Sequence, residues 1–139
     1  MNRRNFVIAT AAFSALGACT VPQGGQGFQI PQPQAGQGLI LLYRPTKALG
    51  AVLQMPVTVD GSPIGSLANG GFLTRGVSPG QYLVQTTAPS IDGVSNVNIS
   101  IAAGETVYMR GETLWGYPAG RAKLVRVSAS QAQSEIARM

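Results

Sequence analysis

The spacing of apolar residues changes character twice along the chain. Phe6 to Gly17 is an uncharged, mostly apolar run of twelve residues, and Val21 to Gly38 is Gln, Gly and Pro with few apolar positions. From Leu39 onward, short apolar or alternating runs are broken by turn dipeptides, the signature of strands and hairpins. Leu39 to Tyr43 is continuously apolar, as expected of a strand buried on both faces, and stops at Arg44-Pro45. Met55 to Asp60 and Ser62 to Leu67 flank Asp60-Gly61, a strong hairpin signal. Phe72 to Val77 leads into Ser78-Pro79-Gly80, and Gln81 to Ala88 alternates with Tyr82 and Val84 on one face. Asn96 to Ile101 has period two with Val97, Ile99 and Ile101 inward; Thr106 to Arg110 and Lys123 to Val127 complete the strands. Ser128 or Ser130 can cap a short helix running to Arg138, with Gln131 or Gln133 three residues on. Seven or eight short strands at this spacing predict an all-β domain, an antiparallel sandwich or small barrel with a C-terminal helix.

The first apolar run belongs to a different class. It follows the basic stretch Met1 to Asn5 and is well short of the roughly 20 residues that span a bilayer, so it has the form of a secretory signal. It ends in Leu16-Gly17-Ala18-Cys19, which resembles a lipobox: an aliphatic residue three places before the cysteine, with small residues between. The resemblance implies cleavage after Ala18 and a diacylglycerol on Cys19 as the mature N-terminus. Two chains of about 15 buried CH2 groups at about 0.8 kcal/mol each give a gross membrane term of about 24 kcal/mol, enough for stable anchoring. Arg3, Arg4 and Phe6 resemble a twin-arginine export signal, although Asn2 and Ile8 stand where that pattern has a hydroxyl residue and Lys; an ordinary basic n-region is the alternative. Thr20 occupies the place where Asp, in the enterobacterial sorting pattern, retains a lipoprotein in the inner membrane. The outer membrane, with the domain on its periplasmic face, is therefore expected.

Residues 19–38 are expected to be an acylated, flexible tether, because so few apolar groups cannot offset the entropy of ordering them. An irregular strand added to the domain through Phe28 and Ile30 is the alternative. The domain proper is placed at 39–139. The chain's formal charge of +5 includes Arg3 and Arg4; residues 19–139 carry eight Lys or Arg against five Asp or Glu, or +3. These charges are scattered rather than clustered, and no nucleic-acid partner is expected.

Four stretches of the domain carry a further resemblance. They are the apolar strand ending Tyr43-Arg44-Pro45, the hairpin Val57 to Gly65, the segment Asn69 to Val77 running into Ser78-Pro79-Gly80, and Ala103 to Tyr108. Together they resemble a bacterial family known only as domain of unknown function 2846. The resemblance implies a lipoprotein-anchored β-sandwich, similar to peptide-binding or surface-anchoring modules. It brings no catalytic residues to map.

The residues themselves offer little chemistry. There is no histidine, the commonest general base and metal ligand near neutral pH, and the one cysteine is expected to carry lipid. Asp60 and Asp92 precede glycines in predicted turns, where Asp commonly bonds nearby backbone; Glu105 lies in another turn, Glu112 in a loop and Glu135 on the helix. No two carboxylates are placed together by sequence, and no motif pairs Lys47 or Lys123 with a serine. No enzyme, cofactor or metal site is expected. The best candidate surface is Glu112 to Lys123, a predicted Gly/Pro loop with Trp115, Tyr117 and Arg121, which either binds a partner or folds over the open end of the sandwich. The expected role is a tethered binding or assembly module for an envelope protein or peptidoglycan partner, with a structural spacer lipoprotein as the alternative.

Overall fold

A computed structural model describes residues 28–87, 94–115 and 120–139. Eight strands and one helix follow in order: β1 Gly38–Tyr43, β2 Met55–Val59, β3 Ser62–Leu67, β4 Phe72–Val77, β5 Gly80–Thr87, β6 Val94–Ile101, β7 Thr106–Leu114, β8 Arg121–Val127 and α1 Ala129–Ile136. They form two four-stranded sheets, sheet I in the order β4-β1-β7-β8 and sheet II in the order β3-β2-β5-β6. The sandwich expectation holds, and the sheets do not close into a barrel.

The alternation explains the packing. Ile40 and Leu42 of β1, Val107 and Met109 of β7 and Leu124 of β8 face Met55, Val57, Val84, Ile99 and Ile101 of sheet II across one core. The opposite face of sheet I carries a second, smaller core: Leu41, Tyr43, Phe72 and Tyr108 under Ala132 and Ile136 of α1. Strand β1 therefore lies between two apolar layers, which is why its sequence does not alternate and all six of its residues are buried.

One pairing departs from the expected antiparallel order. Strand β1 runs antiparallel to β4 but parallel to β7, with Leu39 opposite Thr106 and Tyr43 opposite Arg110. A strand covered on both faces suits parallel pairing, which is found almost only where both faces are buried. Local turns behave as their sequences suggest. Asp60 and Gly61 both take positive φ, 48° and 80°, as a two-residue hairpin turn of the primed type requires. Asp60 does not bond its own backbone; its Oδ1 accepts from the Leu83 N–H of β5 at 2.8 Å. Ser128 is the N-cap of α1, accepting from the Gln131 N–H at 3.2 Å, while the Gln131 side chain turns away to Glu135.

Two boundaries differ from the sequence reading. Strand β7 continues to Leu114 and β8 begins at Arg121, with Leu114 opposite Arg121, so Glu112 sits in a strand and not in a loop. The second half of the stretch expected as a tether, from Phe28 onward, packs on the domain, while residues 19–27 lie outside the described residues. The Phe28 ring stacks on Phe72, centroids 4.0 Å apart, and Ile30 also packs on the second core. Two apolar groups in a Gln/Gly/Pro stretch are enough when sheet I leaves a greasy face beside α1 to receive them. From there the chain returns along sheet I to Gly38, where the Gly104 N–H donates to the Gln37 carbonyl at 2.9 Å. No described helix is long and apolar enough to cross a membrane.

Candidate functional site

Of the residues singled out in the sequence, Arg3, Arg4, Phe6, Leu16, Gly17, Ala18, Cys19 and Tyr117 lie outside the described residues, as does Asp92. Trp115, just past the end of β7, is 81% exposed, so it does not fold over the sandwich. Arg121, on the neighbouring strand, is exposed as well.

Two residues before Trp115, Thr113 meets a buried group not marked out in the sequence. Arg44 directly continues the buried run of β1 and is only 2% exposed. Its Nη1 donates to the Leu53 carbonyl at 2.5 Å and lies 3.5 Å from that of Leu67; its Nη2 donates to the Gly50 carbonyl at 2.6 Å and to Thr113 Oγ1 at 3.0 Å. Burial lowers its pKa, although a guanidinium stays protonated throughout the physiological range. The planar fork thus fastens the 44–54 loop to β3 and to the end of β7. Gly111 beside it makes room for the core: a Cβ there would come within 2.8 Å of Leu67 Cδ2 and 3.2 Å of Met55 Sδ.

A second polar cluster forms where α1 meets β7. Arg110 donates to Glu112 through Nε at 2.9 Å and also through Nη2, and to Glu135 through Nη1 at 2.7 Å. The Tyr43 hydroxyl donates to Glu135 at 2.6 Å. Residues 110 and 112 share one face of a strand, so their pairing follows the two-residue period; Glu135 arrives only because α1 packs on sheet I. Two carboxylates that looked separate in the sequence therefore meet on one arginine. Burial alone would raise Glu135, but hydrogen bonds from Tyr43 and Gln131 and the Arg110 charge outweigh it and hold the carboxyl below its usual range. Burial, and then Glu135, push the Tyr43 hydroxyl far above its ordinary value. Beside the cluster is a groove of about 500 Å³ lined also by Lys47 and Arg138.

These shifts predict a two-sided pH dependence. Glu135 is depressed in the folded state, so its contribution is present above its ordinary value of 4.5 and is lost as pH falls through the folded value. Tyr43 is raised, so its contribution is present below its ordinary value of 10.0 and is lost as pH climbs toward the folded one. Urea unfolding across pH should show both losses. Glu135→Gln should flatten the acid limb, and an unchanged acid limb in that variant would assign it to other groups.

Sheet II differs from sheet I in charge. Strands β2, β3, β5 and β6 contain no Asp, Glu, Lys or Arg, whereas β4, β7, β8 and α1 all carry at least one. The register aligns the outward residues of sheet II in rows: Thr58, Gln85 and Asn96 form one, and Leu83 and Asn98 the next. Gln85 donates to Asn96 Oδ1 at 2.9 Å. A shallow groove of about 300 Å³ lies on this face, lined by Pro56, Thr58, Gln85, Thr87 and Val94 among others. Among the described residues, no group of three or more His, Cys, Asp or Glu could hold a metal ion.

No curated protein matches the chain. Among solved structures, the N-terminal domain of AlgF from P. aeruginosa is similar at 18% identity and a TM-score of 0.39, covering 72% of this chain and all of that one. A likeness that loose carries no argument about fold or role. The family comparison reaches further, because the sequence profile of the family described as "Protein of unknown function (DUF2846)" matches residues 34–123. That span runs from the turn before β1 into β8 and takes in the Arg44 fork, the Arg110–Glu112 pair and every strand of sheet II. The chain belongs to the DUF2846 family.

Proposed function

We infer that this protein is a lipid-anchored cell-envelope domain that acts as a binding or assembly module for a protein or cell-wall partner, using the outer face of sheet II. The anchor at Cys19, cleavage after Ala18 and a place on the periplasmic side of the outer membrane rest on the lipobox and signal pattern. The observation that supports a binding role is the segregation of charge. Soluble surfaces ordinarily mix charges of both signs at about a quarter to a third of positions, and interface centres are depleted of them. The strands of this face carry no charge, and its one described carboxylate, Asp60, sits at the β2–β3 turn bonded to the Leu83 N–H. A face of Thr, Gln, Asn and Leu can be desolvated cheaply and offers donors and acceptors to an uncharged partner, as a glycan strand or a neutral protein surface requires. The reading is non-catalytic: the chain has no histidine, and the two carboxylates that meet are both committed to Arg110.

A photo-crosslinking residue at Asn98, in the full-length lipoprotein in cells, tests this. One dominant adduct that disappears when Leu83 is replaced by Lys is the expected result. Adducts spread over abundant envelope proteins and indifferent to Leu83→Lys would instead support a spacer lipoprotein with no specific ligand.

A further inference from the structure

We propose that Val52, Leu114 and Trp115 form a docking tip for an anionic lipid bilayer, on which the domain stands end-on. The proposal rests on the reading of this protein as a lipid-anchored envelope domain, and three observations carry it.

The first is what the tip exposes. Val52 is 94% exposed, Trp115 81% and Leu114 42%, and these are three of the four large apolar residues left exposed among the described residues. They share one end of the molecule. Strands β1 and β7 run parallel with Tyr43 opposite Arg110, so the chain beyond Tyr43 and the chain beyond Arg110 leave in the same direction. Arg44 Nη2 then holds both the Gly50 carbonyl and Thr113 Oγ1. Val52 and Trp115 each lie two residues from one of those groups, so a single buried guanidinium sets both. Side chains this free project as a wedge rather than line a pocket. Aliphatic groups beside an indole, whose ring is apolar and whose N–H is polar, suit the boundary between headgroups and acyl chains.

The second is where the chain enters. Phe28 stacks on Phe72, and Phe72 is opposite Tyr43, which places Phe28 at the same end of sheet I as the tip. Cys19 is nine residues earlier, and nine residues at full extension reach about 30 Å. An acyl group on Cys19 therefore ties this end of the domain to the bilayer, while the opposite end, where Gly38 pairs with Val77, lies about a strand's length farther away.

The third is charge. Lys47 belongs to the same loop as Val52, and Lys123 lies on β8 two residues beyond the partner of Leu114. Glu112, opposite Lys123, is paired with Arg110. Among the described residues, Lys47 and Lys123 thus place positive charge near the apolar centre, complementary to anionic headgroups.

Trp115 is the only tryptophan in the chain, so its fluorescence reports the tip directly. The test uses the full-length protein isolated from its own membranes, reconstituted into vesicles of phosphatidylglycerol and phosphatidylethanolamine with brominated acyl chains. Docking predicts blue-shifted emission and strong quenching, with quenching reduced at least threefold by Val52→Asp. Because Val52 packs against nothing, that variant should melt at the unaltered temperature. Emission that stays red and unquenched overturns the proposal, and so does a single protein adduct from a crosslinker at Leu114. The mass of the isolated protein reads the anchor separately. Acylated protein with unquenched Trp115 leaves the anchor and removes the docking tip. Unacylated protein whose Trp115 is quenched, and released by Val52→Asp, leaves the tip and removes the anchor. Failure of both readouts overturns both.

Discussion

Arg44→Met should destabilise the domain by about 3 kcal/mol, lowering its melting temperature by roughly 12 °C. Two effects of opposite sign compete. Removing a buried charge relieves a desolvation cost of several kcal/mol, and replacing buried ions with apolar groups is often neutral or stabilising. Here, however, the ion's partners are backbone carbonyls and a hydroxyl that stay behind. The Gly50 carbonyl keeps a second donor, the Leu53 N–H, but the Leu53 carbonyl depends on the arginine. A buried acceptor left without a donor costs about 1–3 kcal/mol, and the charge-assisted bonds lost are worth about 1.5–3 kcal/mol each. The loop would open to admit water rather than collapse. Arg44→Lys should lose less, since an ammonium can serve one side of the loop but cannot span both as the fork does. Thermal unfolding of the two variants checks the ordering. Equal stability of the methionine variant and the unaltered protein would mean that desolvation relief dominates and that Arg44 does not clamp the loop.

Phe72→Ala should cost about 4 kcal/mol, the usual range for removing a buried aromatic side chain. Phe72 is 1% exposed and forms the floor on which Phe28 stacks. Its loss opens the second core beneath α1 and also frees the chain before β1. With total stabilities of about 5–15 kcal/mol, such a variant sits close to unfolding at ordinary temperatures. Phe28→Ala separates the two consequences. It removes the stack alone, costing about 1 kcal/mol beyond its area, and leaves the sheet intact. Residues 28–37 should then become sensitive to protease while urea unfolding of the remainder shifts little. Resistance of that segment in Phe28→Ala would show that it is held by contacts other than the ring.

Most strand positions could be read from the sequence because each depends on neighbours within a few residues. Period two placed Ile99 and Ile101 inward, and Asp60-Gly61 specified its turn through positive φ. The unbroken run Leu39 to Tyr43 even announced a strand covered on both faces. What it could not announce was its partner, since Leu39 and Thr106 share no local signal across 67 positions. The same limit hid the meeting of Glu112 with Glu135, which depends on where α1 docks; only the Arg110–Glu112 spacing was available beforehand. Arg44 was hidden for another reason. Arginine is rarely buried, so a basic residue after an apolar run reads as the point where the chain surfaces. The useful signal was that this run had no polar face to surface on. Phe28 and Ile30 were masked by the composition around them, and the exposure of Trp115 depends on how far β7 and β8 continue before they turn.

The parallel pairing of β1 with β7 also bears on how the molecule assembles. Sheet II contains two local hairpins, β2–β3 and β5–β6, which can form soon after their residues are available. Sheet I cannot be completed until β7 exists, so the chain delivers its most apolar segment, GLILLY, first and the strand that must flank it nearly last. Contacts so distant in sequence slow folding. Strand β4 can cover one edge of β1 early, but the other edge of this uncharged, β-prone hexapeptide stays unpaired until β7 arrives, which is an aggregation hazard. During synthesis that interval lasts until roughly 70 further residues have emerged, at about 5–20 residues per second a matter of several seconds. Yield of the folded protein should therefore be governed by what shields β1 in that interval more than by the final stability of the sandwich.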